Sequence, residues 1–183
     1  MNESTRDAFL GLKFGASVEH VKETILAKPG CVLDIENSDN ENIIFNGLKF
    51  AGRETLLIMF RFIDNKFHTA HVFIKPKLES HIIDLYNEIK DEINDKYYIT
   101  EEDYETYKFP YEKNDNYTET AISLGKASFS SFWKFKNRDT SENIYNYITL
   151  DITENLDIRV CYQDGILAEL YMTKQKEKNQ ADY

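Results

Sequence analysis

Apolar positions along this chain change period several times, and each change marks an element. Val18, Val21 and Ile25 recur at helical spacing behind Ser17, a good N-cap, and Pro29-Gly30 stops the run. Residues 2–16 before it read as a short helical lead-in, with Ser4 and Asp7 as a weak capping box. Cys31 to Ile35 reads as a first strand, Glu36 to Asn42 as an acidic loop, and Ile43 to Phe45 as the start of another strand. Gly47 and Gly52 bracket a turn or bulge. Glu54 to Asp64 is apolar on both faces, as a central strand is. Asp64-Asn65 predicts a tight hairpin, because both residues tolerate positive φ, and Phe67 to Ile74 returns as its partner.

Pro76 opens the strongest helical pattern, predicted over Lys77 to Tyr97. Leu78, Ile82, Leu85, Tyr86, Ile89 and Ile93 form one stripe, with Glu79, Asp84, Lys90, Asp91 and Asn94 opposite, so this helix should lie across a sheet. Thr100 to Thr118 is charged and Tyr-rich, with one edge strand around Tyr104 to Tyr111, where Pro110 fits. A short helix is predicted near Thr118 to Leu124. Three meander strands follow at Phe129 to Lys136, Tyr145 to Ile152 and Leu156 to Tyr162. Their turns fall at Asn137 to Glu142 and Thr153 to Asn155. Ile166 to Lys176 suits helix and strand equally, and the residues after about 176 read as a solvated tail.

The late strands alternate. Leu156, Ile158 and Val160 oppose Asp157, Arg159 and Cys161, and Ile148, Leu150 and Ile152 oppose Tyr147, Thr149 and Asp151. One sheet face is therefore expected under helices and the other at least partly open. The expected fold is α+β, an antiparallel sheet with helices packed on one face. It has two helix-plus-meander halves, about 9–75 and 76–163, within a single domain spanning 1–183.

Composition agrees. The chain has 183 residues, enough for one domain with a core that needs no disulfide or metal. Its 12 Tyr and 12 Phe, against 7 Gly and 3 Pro, favour ordered sheet over disorder. A net charge of -10 repels phosphate backbones, so nucleic acid is not an expected partner. There is no apolar run long enough for membrane insertion, and the first residues lack the pattern of a signal peptide. The chain as it stands reads as cytoplasmic, or as periplasmic if a leader has been removed. Cys31 and Cys161 are too few for a disulfide framework and read as buried thiols.

Phe9-x-Gly11-x-x-Phe14-Gly15-x-Ser17-x-x-x-Val21 resembles the opening of the SmpA/OmlA outer-membrane-assembly lipoprotein domain and of the tandem domains of the β-lactamase-inhibitor-protein-like fold. Three later phrases are similar to small uncharacterised proteins of Bacteroides-type gut bacteria. They are Phe50-Ala51-Gly52, Leu85-Tyr86-x-x-Ile89-Lys90-x-x-Ile93-x-x-Lys96-Tyr97 and Ile148-x-Leu150-x-Ile152. The resemblance spans most of residues 9–163. It implies helices on one sheet face, a concave opposite face, and binding of other proteins without catalytic residues. The lipobox cysteine of the lipoproteins is missing here, and no inhibitory motif carries over.

Chemistry-bearing patterns are sparse. Ser123-Leu124-Gly125-Lys126 fits Ser-x-x-Lys and Ser38-Asp39-Asn40 fits its companion, but the order is reversed and no Lys-Thr-Gly follows. His20/Glu23 and His81/Asp84 have helical spacing for a shared ligand, yet read as solvated faces. His68 and His71 sit three apart in a strand, which places them on opposite sides. Asp34 to Phe45 imitates an EF-hand loop but lacks its Gly and final Glu. Glycosylation sequons occur at Asn2 and Asn116. No metal, cofactor or catalytic set is expected.

Arg61, His71, Tyr147, Thr149 and Arg159 are candidates for the open sheet face, where Tyr and Arg are residue types that anchor interfaces; the alternative is an ordinary solvated face, and the pattern leaves the register of the early strands open. The expected function is a non-catalytic interaction protein whose partner is another protein. The alternatives are an acidic immunity- or inhibitor-type protein against a basic toxin or enzyme, and a metal-dependent enzyme with an unfamiliar site.

Overall fold

The computed structural model describes residues 8–137 and 144–181. Residues 8–16 are not helical. Strands β1 (Ala8–Phe9) and β2 (Leu12–Lys13) pair as a small hairpin, turned by Leu10 and Gly11 at φ of 50° and 86°, which a right-handed helix does not allow. Phe9 and Leu12 are buried in the core, a tertiary pull that the local pattern does not express. Ser4 and Asp7 lie outside the described residues.

Helix α1 (Val18–Leu26) begins as expected. The Ser17 hydroxyl accepts from the His20 backbone N–H at 3.2 Å, and Val21 and Ile25 face the core. Strands β3 (Val32–Leu33) and β4 (Asn42–Asn46) follow, then a separate hairpin of β5 (Lys49–Phe50) and β6 (Arg53–Glu54), with Gly47 before it and Gly52 in its turn. Strands β7 (Leu57–Ile63) and β8 (Lys66–Ile74) are joined by Asp64 and Asn65, at φ of 49° and 59°.

Helix α2 (Ile82–Lys96) starts later than its pattern suggested. A 3₁₀ turn at Glu79–His81 precedes it, Pro76 is buried outside the helix, and Leu78 is exposed rather than part of the stripe. Strand β9 (Glu102–Tyr107) is the edge, and Pro110 lies beyond it in a loop. Helix α3 (Thr118–Ser123) and strands β10 (Ala127–Lys136), β11 (Tyr145–Ile152) and β12 (Ile158–Gln163) stand where predicted; most of the turn between β10 and β11 lies outside the described residues. Helix α4 (Gly165–Ala181) settles the segment that suited either element and runs through residues read as tail.

The fold class is α+β. All eight strands of the main sheet pair antiparallel in the order β3-β4-β7-β8-β12-β11-β10-β9. Two helix-led meanders therefore meet at one seam, β8 against β12. Registers separate the faces. Ile58, Phe60, Ala70, Val72, Val160 and Leu150 lie under α1 and α2 in one buried cluster. At the edge of that cluster lies a polar knot that runs from buried Tyr86 and Ser131 out to the surface. The Tyr86 and Ser131 hydroxyls meet at 2.5 Å, Ser131 donates to Asp103 at 2.7 Å, and Lys90 closes the chain at 2.8 Å from the same carboxylate. Every buried polar atom in this chain of contacts finds a partner, as burial requires.

Candidate functional site

The opposite face of the sheet reads out as three cross-strand rows. The first is Arg61–Thr69–Gln163–Tyr147. The second is Met59–His71–Cys161–Thr149–Phe132, and the third Leu57–Phe73–Arg159–Asp151–Ser130–Tyr104. All five predicted residues lie on this face, because side chains of directly paired residues point the same way. The second and third rows are mostly half-exposed; Cys161 is buried and Tyr104 exposed. Helix α4 packs against β7, β8 and β11 on the side of the first row, so the face is not wholly open.

Arg159 is committed to its neighbour. Its Nε and Nη2 donate to the two Asp151 carboxylate oxygens at 2.9 and 2.8 Å, a two-point pair that fixes both side chains. Arg61 is held by neutral groups instead. Its Nε donates to Asn42 Oδ1 at 3.2 Å, its Nη2 donates to the Tyr171 hydroxyl at 2.7 Å, and the guanidinium carbon lies 4.8 Å from the Tyr171 ring centre. Asn42 in turn donates to Asp39 at 3.1 Å. Tyr171, on α4, had no sequence signal linking it to Arg61, which stands 110 residues away.

His68 and His71 share this face, contrary to the strict alternation expected of them. The register shifts between Arg61 and Phe62, and this irregularity carries His68 to the same side. The His68 ring stacks on Tyr171 at 5.1 Å, its Nδ1 meets the Thr69 hydroxyl at 2.7 Å, and its buried Nε2 has no partner. Burial, then the nearby Arg61 charge, pushes the His68 pKa down to about 4. Burial, then Arg159 and Arg61, does the same to His71, also to about 4. Cys161 lies between His71 and Thr149 in the second row, and burial pushes its thiol up to about 12. A thiol so held is protonated at neutral pH and is a poor nucleophile.

The remaining sequence candidates stay apart from this face. His20 and Glu23 are exposed on α1, His81 and Asp84 are exposed at the start of α2, and Ser123 is exposed at the end of α3. Among the described residues no three His, Cys, Asp or Glu side chains gather as metal ligands. A cleft of about 550 Å³ separates the β5–β6 hairpin from α2, between Arg53, Pro76, His81 and Leu85. The exposed side of α2 is acidic, carrying Asp84, Glu88, Asp91, Glu92 and Asp95, with Arg53 bound to Glu88 and Glu92 at 2.9 and 2.6 Å.

No protein-family model matches this chain, and neither does any curated protein or solved structure. No helix among the described residues is long and apolar enough to cross a membrane.

Proposed function

We propose that this chain is a non-catalytic interaction protein that docks another protein on the sheet face opposite α2. The observation that carries the reading is the pair of half-exposed rows through Met59, His71, Thr149 and Phe132 and through Phe73, Arg159 and Tyr104. They mix apolar, aromatic and arginine side chains, the composition of interface centres. The strong charges of these rows, Arg159 and Asp151, are matched to each other, so neither meets a partner as an unpaired charge. The sequence resemblance to protein-binding domains points the same way.

A second reading has its own observation. The acidic side of α2 suits a basic toxin or enzyme, with association steered by charge. One experiment separates the two. Tagged protein is used to capture partners from host lysate at low and high salt, alongside Thr149→Glu and Asp91→Lys variants. Loss of the captured partner with Thr149→Glu, at unchanged melting temperature, supports the sheet face. Loss with Asp91→Lys alone, together with strong salt sensitivity, transfers the function to α2.

A further inference from the structure

We infer that α4 is a releasable strap, which covers the first row of the sheet face and sets how much of that face a partner meets. The inference rests on the docking reading above and names its regulation.

The root of α4 is fixed. Gly165 N–H donates to Asn146 Oδ1 at 3.0 Å, and Asp164 Oδ1 accepts from Leu167 N–H at 2.8 Å. A side chain at residue 165 would place its Cβ 2.2 Å from the Tyr145 carbonyl oxygen, so only glycine lets the chain pass there. Beyond the root the grip changes character. Ala168 is the only side chain of the described helix that is nearly fully buried, while Leu170 and Met172 are 38% and 69% exposed. Among the described side chains beyond Tyr171, none that is apolar is buried. Among the described residues the distal hold of the helix is Tyr171 on Arg61 and His68, plus one solvent-exposed ion pair, Lys174 to Asp64 at 2.5 Å. Exposed ion pairs contribute little, and the distal stretch from 171 to 181, taken alone, is short enough to be marginal as a helix in water without tertiary packing.

The covered groups give release a consequence. His68 and Thr69 are 1% and 2% exposed, much lower than most of the face beside them. Lifting the distal part of α4 uncovers them and gives a three-row surface. It also presents the Arg61 guanidinium, which is hydrogen-bonded to no carboxylate among the described residues, to an acidic group on the partner.

Native-state hydrogen exchange on the intact chain tests the strap without needing the partner. At neutral pH the amides of residues 171–181 should exchange about 100-fold faster than those of α2, the pattern of a locally opening segment. Tyr171→Ala should raise exchange along α4 about tenfold further, with β8 and α2 unchanged; Tyr171→Phe, which keeps the ring stack, should raise it less. If α4 exchanges only with the whole sheet, in wild type and in Tyr171→Ala alike, the strap is overturned. That result leaves the docking face standing, which the capture variants judge separately.

Discussion

His68 and His71 are the residues whose burial has the clearest thermodynamic consequence. The His68 ring is buried and the His71 ring partly buried, both neutral beside Arg61 and Arg159, at pKa values of about 4 in the folded chain, against about 6.5 when exposed. Between these values the unfolded chain binds more protons than the folded one, so stability falls as pH falls. The contribution is complete above about pH 6.5 and is progressively lost down to about pH 4, with a limiting slope of about 1.4 kcal/mol per pH unit for each ring. Urea unfolding from pH 7 to 4 should show this decline, and His68→Asn/His71→Asn should flatten it. A wild-type profile that is already flat would mean the rings are protonated without penalty.

At the scale of elements, the β7–β8 turn and the start of α1 share one residue. Asn65 takes positive φ in the hairpin, and its Oδ1 also accepts from the Val18 backbone N–H at 3.0 Å. Asn65→Ala should lose both contributions, about 1–2 kcal/mol in chemical denaturation. Asn65→Gly keeps the turn and loses only the cap, so it should cost about half as much. Equal losses for the two variants would show that the turn geometry contributes nothing. The same element pair explains how two short, separate signals, Ser17 and Asp64-Asn65, hold one helix on one hairpin.

For the whole molecule, the seam of β8 against β12 fuses two meanders into one sheet over one core. Neither half has its own complete edge, so they should unfold together. The single tryptophan, Trp133, is buried in the second half, where its indole N–H donates to Asn94 at 3.0 Å and to the Tyr98 carbonyl at 3.1 Å. Its fluorescence should therefore follow the same urea transition as far-UV circular dichroism. Separate midpoints would show that the seam does not couple the halves.

Much of the architecture was written in local pattern. Ser17, the Asp64-Asn65 turn, the alternation from Tyr145 to Val160 and the Tyr86/Ile89/Ile93 stripe each carry their element in a few residues, because caps, turns and amphipathic periods are short-range physics. The shared face of Tyr147, Thr149 and Arg159 was legible for the same reason, whereas Arg61 and His71 join it through the register of β7, β8 and β12, which their own segments leave open. What lay beyond local pattern was decided at long range. The hairpin at Ala8–Lys13 exists because Phe9 and Leu12 reach the core, His68 joins the outer face through a register shift, and α4 crosses that face where Tyr171 meets Arg61. Period and propensity fixed which residues alternate and where chains turn. Only tertiary packing could decide what covers each face, because contacts between residues a hundred positions apart leave no mark on either segment's own pattern.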